Sequence, residues 1–176
     1  MKFSPIKSDP QGRKLAIVFE SPTIEELQQK RPMLSGTGLM LKAVLAQLGL
    51  PCELCLICYV KTEVSRSFHP ESYEVHEGFE RVKKELTDHD INCTLLIGQA
   101  VTKLFGEERS LTKMHGSVWQ SFEAHNMKCV STYHPSQVMR NYTWITPFKI
   151  DIDRAITQSK FPALRRVERK FATMPT

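Results

Sequence analysis

The chain has 176 residues, of which 41% are hydrophobic, enough to bury the core of one ordinary globular domain. We expect a single domain over residues 1–176, with an N-terminal arm over residues 1–14 and a basic tail over residues 161–176. The formal net charge of +5 favours a polyanionic partner, although an ordinary basic surface gives the same charge. No apolar run approaches the roughly 20 residues of a membrane-spanning helix, which argues against a membrane protein.

The cysteine pattern predicts a reducing environment. The chain contains five cysteines, an odd number, and no secretory signal precedes the first predicted strand. Cys52, Cys55 and Cys58 have the spacing of a metal-ligand run. Residues three apart on an extended strand face opposite sides, so we expect buried thiols here, with a metal site as the alternative.

The first half of the chain alternates between strand and helix signals. Residues 14–19 form an apolar run typical of a buried strand, and residues 20–23 follow as a loop. Helical spacing predicts helices over residues 24–30 and 36–48. A second buried strand is expected over residues 54–60.

The second half continues this alternation. Residues 73–90, rich in Glu and Lys, predict an amphipathic helix. Residues 94–98 predict a strand that ends in Gly98, where a backbone or ligand can approach closely. A short helix follows over residues 99–105, and two further strands are expected over residues 116–122 and 127–131.

A late helix over residues 151–158 completes the predicted order. Strands that alternate with helices indicate an α/β fold, because each parallel crossover places a helix on a face of the sheet. We predict a three-layer α/β/α architecture with a mainly parallel central sheet. No internal repeat is present.

Several segments carry recognisable motifs: residues 17–23, 30–33 with 36–38, 95–98, 111–116 and 131–136 with 140–141. In their order and spacing, over residues 15–141, they resemble the uracil-DNA glycosylase superfamily, especially its iron-sulfur branch, often called family 4. The resemblance implies the superfamily's α/β fold, single- or double-stranded DNA as the partner, and hydrolysis of the bond that joins uracil or a related base to its sugar.

The first motif assigns a catalytic role to Glu20. The family has a Gly-Glu-Ala-Pro-Gly loop after its first strand, and Glu20 stands at the position of its acidic residue. A carboxylate beside the sugar orients water and stabilises the positive charge of the transition state. The alternative is that Glu20 caps the helix that begins near Ile24, and residue chemistry alone favours this cap.

The last motif assigns a catalytic role to His134, which matches the histidine that donates a hydrogen bond to the departing base. The resemblance also implies DNA contacts from the residues after it. Phosphate contacts are expected from Ser136, Gln137 and Arg140, and Val138 or Met139 is the candidate wedge that fills the gap left by a flipped nucleotide. The alternative is a loop histidine followed by ordinary packing residues.

Lys113 lies in a stretch that matches the family's Thr-Lys-x-x-Gly motif near the DNA-facing edge. The resemblance implies a phosphate contact from Lys113. A solvated lysine is the alternative.

The predicted base pocket departs from the family pattern. Its residues are Phe19, Ser21, Met33 and Cys58. Met33 replaces a phenylalanine that stacks on the base, and sulfur offers a less rigid contact than a ring. Cys58 stands in the place of an asparagine that reads uracil, and a thiol cannot pair with a pyrimidine edge in this way. Altered base specificity is therefore expected.

The cluster cysteines of the iron-sulfur branch are missing upstream of the first strand, and Thr62 stands where a third would be. We therefore expect no cofactor, and in particular no iron-sulfur cluster. A short chain without the cluster suits a compact viral or plasmid genome, so the cytoplasm of a bacterial or virus-infected cell is the expected location.

Three functional hypotheses remain open from the sequence. The first is a DNA glycosylase. The second is a glycosylase-fold module that binds DNA, acts with replication or repair proteins and has weakened or lost catalysis. The third is a phosphate binder that uses residues 35–38, although these lack the full phosphate-loop pattern.

Overall fold

A computed structural model describes residues 1–64, 67–106 and 109–162. The predicted basic tail, with its arginines and lysine at positions 165–170, lies almost entirely outside the described residues. Among the residues that are described, no helix is both long and apolar enough to cross a membrane.

The centre of the fold is a six-stranded sheet with the strand order β1-β3-β2-β4-β6-β5. The strands are β1 (Lys2–Phe3), β2 (Leu15–Phe19), β3 (Leu56–Tyr59), β4 (Cys93–Ile97), β5 (Val118–Ser121) and β6 (Met127–Thr132). The inner strands β3, β2, β4 and β6 run parallel to one another, and β1 and β5 are antiparallel edge strands. The predicted mainly parallel sheet is confirmed.

Helices cover both faces of the sheet. They are α1 (Ile24–Gln29), α2 (Gly36–Gln47), α3 (Tyr73–Asp88), α4 (Gln99–Phe105), α5 (Leu111–Met114), α6 (Pro135–Arg140) and α7 (Ile145–Gln158). Buried side chains of α2, α6 and α7 pack on one face, and those of α3 and α4 pack on the other. The three-layer α/β/α architecture is therefore confirmed.

Side chains of β2 alternate between these two layers. Leu15, Ile17 and Phe19 belong to the core cluster under α2 and α7, whereas Ala16 and Val18 belong to the cluster under α3 and α4. Both faces of the strand are buried, which explains why it is apolar at every position.

The structure differs from the predicted elements at several places. The N-terminal arm contributes β1, which pairs with β3. Two short helices that the sequence did not predict, α5 and α6, precede and follow the last pair of strands. Helix α7 begins at Ile145 rather than at residue 151. Its first turn contains Pro147, which a helix tolerates there because the first amide groups have no intrahelical partner.

A glycine in α3 allows this helix to pack closely on the end of β3. A Cβ atom at Gly78 would clash with the backbone oxygen of Val60. This contact is far below any van der Waals distance, and its partner is backbone that cannot rotate away. Gly78 therefore sets the spacing between α3 and the sheet.

We expect Gly78→Ala to lower the free energy of unfolding by about 2 kcal/mol, because the overpacked methyl group outweighs the better helix propensity of alanine. Chemical denaturation measures this change. Gly36→Ala is the matched control, since a Cβ there meets only the Met139 methyl at 3.9 Å. Equal stability of the two variants would contradict this account of the packing.

Candidate active site

The candidate catalytic residues lie where three parallel strands end. Glu20 directly follows β2, Gly98 follows β4, and His134 follows β6 after Tyr133. Strands β2, β4 and β6 are neighbours in parallel register, so their carboxyl ends meet at one edge of the sheet. Ligands of open α/β sheets bind at this edge, next to the point where the strand order reverses.

Glu20 and His134 approach each other across Gly98. A Cβ atom at Gly98 would lie 3.7 Å from the Oε1 atom of Glu20 and 3.7 Å from the Cβ atom of His134. Gly98 also has a φ angle of +91°, a conformation that favours glycine. The structure therefore brings together the two residues that the resemblance assigned to catalysis.

Helix α1, which follows the Glu20 loop, is capped by other residues. The Thr23 side chain accepts a hydrogen bond from the Glu26 amide at 3.3 Å, and the Glu26 carboxylate accepts one from the Thr23 amide at 2.9 Å. This reciprocal pair is a capping box for α1. The hypothesis that Glu20 caps this helix is wrong, and its carboxylate is not committed to the helix start.

Burial raises the pKa of the Glu20 carboxyl above its ordinary value of 4.5, and the nearby Lys61 ammonium opposes this shift. Lys61 is itself only 7% exposed. Its Nζ atom donates a hydrogen bond to the Ser67 backbone oxygen at 3.0 Å and lies 3.8 Å from a Glu74 carboxylate oxygen. Lys61 was not predicted as a neighbour of the site, because a lone lysine at a strand end carries no distinguishing signal.

The His134 ring is fixed by the first turn of α6. Its Nδ1 atom accepts a hydrogen bond from the Ser136 amide at 3.1 Å and lies 2.7 Å from the Ser136 hydroxyl oxygen. An Nδ1 atom that accepts a hydrogen bond carries no proton, so the neutral ring holds its proton on Nε2. Burial lowers the pKa of His134 below its ordinary value of 6.5, and Arg140 shifts it in the same direction.

A cleft of about 440 Å³ opens between the two catalytic candidates. It is lined by residues 20–25 of the first loop and the start of α1, among them Ser21, together with Val64 and His134. Val64 was missed in the sequence, where it is one apolar residue within a polar connection. The cleft brings an acidic group, a histidine and an apolar side chain around one space.

The predicted base pocket is only partly assembled. Phe19 and Met33 belong to the core cluster under α2 and α7, and both are buried. Cys58 belongs to the cluster on the opposite face of the sheet, so the structure does not bring it together with them. The residue on their side of β3 is Tyr59, whose ring stacks on Phe19 at a centroid distance of 5.3 Å.

Cys58 therefore lies on the other side of β3 from Phe19 and Met33, and the structure does not assemble the predicted group of pocket residues. Consecutive residues of a strand face opposite sides, and β3 is buried on both faces, so its apolar sequence gave no sign of which residue faces the pocket.

The glycine-containing stretch before α2 supports the loop that carries Met33. The Ser35 side chain caps α2, so residues 35–38 form a helix start rather than a separate phosphate loop. A Cβ atom at Gly38 would lie 2.6 Å from the Met33 Cα atom. Gly38 therefore serves close packing of helix and loop.

The residues after His134 divide into exposed and buried positions. Gln137, Met139 and Arg140 are exposed on α6, and Ser136 is partly exposed. Val138 is fully buried in the core, which excludes it as the wedge in this conformation. Met139 is 53% exposed and is the wedge candidate that the structure leaves accessible.

Lys113 is exposed on α5. The short connection after α5 is tied to the end of β6, because the Gly116 amide donates a hydrogen bond to the Ser131 backbone oxygen at 2.9 Å. Lys113 therefore lies near the edge of the sheet that presents His134.

The cysteines are distributed over both layers. All five are free and buried. Cys52 and Cys55 belong to one core cluster and Cys58 to the other. Over the described ranges, no three His, Cys, Asp or Glu residues are grouped in a way that could hold a metal ion. These thiols do not fit an iron-sulfur cluster, and the absence of a cofactor stays a prediction.

These features define an α/β protein with ionisable residues gathered at the carboxyl edge of a parallel sheet. The family model of the uracil DNA glycosylase superfamily matches residues 6–153. The chain belongs to this superfamily, and membership supports a DNA glycosylase-type function and DNA as the substrate. The iron-sulfur branch stays a prediction. A comparison with curated proteins finds no significant match.

The position of Cys58 is open to a chemical test. Burial raises the pKa of its thiol to about 12, and the residue is 1% exposed. We expect negligible reaction of the native protein with a thiol reagent such as dithiobis-nitrobenzoate at pH 8, followed by reaction of the thiols on unfolding. Rapid modification of Cys58 in the native protein, mapped by mass spectrometry, would place it in an open pocket.

Proposed function

We propose that the protein hydrolyses the N-glycosidic bond of uracil or a related base in DNA. The observation that carries this proposal is the approach of Glu20 and His134 at Gly98, on either side of a cleft. Superfamily membership over residues 6–153 supports the same reaction class.

The two side chains act on opposite partners of the breaking bond. As the bond between C1′ and the base nitrogen lengthens, its electron pair moves to the base and positive charge develops on the sugar. The Nε2–H group of His134 donates a hydrogen bond to the base oxygen that gains negative charge. The Glu20 carboxylate stabilises the sugar cation and orients a water molecule toward C1′.

The hydrolysis is completed by one water molecule, which is consumed. The water oxygen forms the new bond to C1′, one of its protons passes to the Glu20 carboxylate or to solvent, and the base anion takes up a proton on release. No redox step or external group is needed for this balance.

Burial of the site supports these roles. The neutral form of His134 donates a hydrogen bond without introducing a buried positive charge, and Ser136 has already selected the required tautomer. Hydrogen bonds and charges in a partly dehydrated cleft act more strongly than they would in bulk water.

The surface around the cleft has the groups needed to hold DNA. Arg140, Gln137 and Lys113 are exposed near the edge that presents His134, and their side chains suit phosphate oxygens. Met139 is exposed beside the start of α2, where it can occupy the space of a flipped nucleotide.

Base release from uracil-containing oligonucleotides tests the catalytic assignment. We expect His134→Ala and Glu20→Gln each to lower the rate of base release by about a hundredfold or more, because each removes one stabilising interaction of the transition state. His76→Ala, an exposed histidine on α3, is the matched control and should retain full activity.

Unchanged base release in both catalytic variants would contradict the assignment of Glu20 and His134. Tight DNA binding by the intact protein without release of any base would favour the binding-module hypothesis instead.

The pH profile gives a second test. Glu20 must be ionised, and its pKa lies above 4.5, while His134 must be neutral, and its pKa lies below 6.5. Both groups reach the working form as the pH rises, so kcat/KM should increase as the pH is raised from 4.5 toward neutrality. A rate that falls between pH 5 and 7 would show that protonated His134 is the active form.

A further inference from the structure

Three aromatic rings form a row that includes Tyr133, the residue before His134. The His115 ring lies 4.9 Å from the Tyr133 ring, and the Tyr133 ring lies 4.7 Å from the Trp144 ring, measured between centroids. Tyr133 is 7% exposed and supports the two outer rings. Trp144 is 38% exposed and the His115 side chain is 30% exposed, so both ends of this aromatic row are open to solvent.

A buried carboxylate holds one end of the row in place. The Nδ1 atom of His115 lies 3.1 Å from an oxygen of Asp151, and the same oxygen accepts a hydrogen bond from the Thr132 hydroxyl at 2.9 Å. Asp151 is 2% exposed. The His115 ring is therefore held before any ligand binds, which lowers the entropy cost of stacking on it.

The aromatic row adjoins the candidate active site. Tyr133 directly precedes His134 in the chain, and His115 is in the segment tied to the end of β6. Trp144 lies between α6, which carries Met139 and Arg140, and α7. A strand of DNA whose target nucleotide occupies the cleft would have its neighbouring nucleotides near this row.

The charge around the row suits a polyanion. Residues 110–122 and 124–150 contain no Asp or Glu. The same segments carry Lys113 and Arg140, both exposed, while the nearby Asp151 is buried against His115 and Thr132. Exposed rings beside exposed cations are typical of surfaces that bind single-stranded nucleic acid.

We infer that His115, Tyr133 and Trp144 form a stacking site for unpaired bases next to the target nucleotide, so that the protein prefers single-stranded DNA. Every base has a π face that can stack on Trp144 or His115, which makes the contact independent of sequence. Paired bases in a duplex are already stacked on one another and cannot use this site. The inference rests on the proposed function only in taking DNA as the substrate.

Binding to DNA without uracil tests the inference separately from catalysis. The probes are a fluorescently labelled thymidine oligonucleotide and a duplex of equal length, measured by anisotropy at fixed salt. We expect Trp144→Ala to weaken binding to the single strand about tenfold and to leave duplex binding nearly unchanged. Trp144→Phe keeps a ring and should retain most of the affinity, and His115→Ala should also weaken single-strand binding.

The matched control is Phe122→Ala. Phe122 is 69% exposed in the turn between β5 and β6, at the opposite edge of the sheet, and its removal should leave both affinities unchanged. Thermal unfolding of each variant shows whether a loss of binding comes from a loss of structure. Trp144→Phe, expected to keep native stability and most of the affinity, is the reference for Trp144→Ala.

Tryptophan fluorescence supplies an independent readout. The chain has two tryptophans, and Trp119 is only 7% exposed, so the single strand should quench mainly Trp144. This quenching should disappear in Trp144→Phe.

Equal weakening of single-strand and duplex binding by Trp144→Ala, or absence of quenching in the intact protein, would overturn the stacking site. A row that binds neither form of DNA would point to a protein partner instead. If the intact protein released no base but bound single-stranded DNA through Trp144, the proposed catalysis would be refuted and the stacking site would be supported.

Discussion

Parallel pairing of β2, β4 and β6 is the constraint on which the site depends. Parallel strands in register end at the same edge, so residues distant in sequence, Glu20 and His134, are placed around one glycine. Gly98 has no side chain, so the space between them stays free, and its positive φ angle is one that favours glycine. Neither residue needs a long loop to reach the other, which keeps both on the rigid part of the fold.

The same burial acts on both ionisable groups, with opposite signs. It raises the pKa of Glu20 and lowers the pKa of His134, because a poorly hydrated site disfavours the charged form of each. Lys61 counters this effect at Glu20, whereas Arg140 reinforces it at His134. The site therefore favours the uncharged form of both side chains, more strongly at His134 than it would without Arg140.

Much of the fold was predictable from sequence, because long apolar runs and helical spacing depend on local residues. Glu20 and His134 were picked out by the family motifs, and the structure places them on either side of Gly98; their catalytic roles stay predictions. The sides that Cys58 and Val138 face could not be predicted from the sequence. Both residues lie on an element that is buried on more than one side. Tertiary packing decides which side each residue faces there, and neither alternation nor hydrophobicity reveals it. Lys61, Tyr59 and Val64 gain their positions only from the three-dimensional arrangement.

Strand β1 has a consequence for the behaviour of the protein in concentrated solution. It pairs Lys2 and Phe3 with Cys58 and Ile57 along the outer side of β3. Without it, an apolar strand would present unpaired amide and carbonyl groups to other molecules, a template for intermolecular sheet growth. A very short edge strand carrying a lysine offers much less for another chain to extend. The first residues of the arm thus cover the edge of β3 and hinder its pairing with a strand of another molecule, the first step of aggregation.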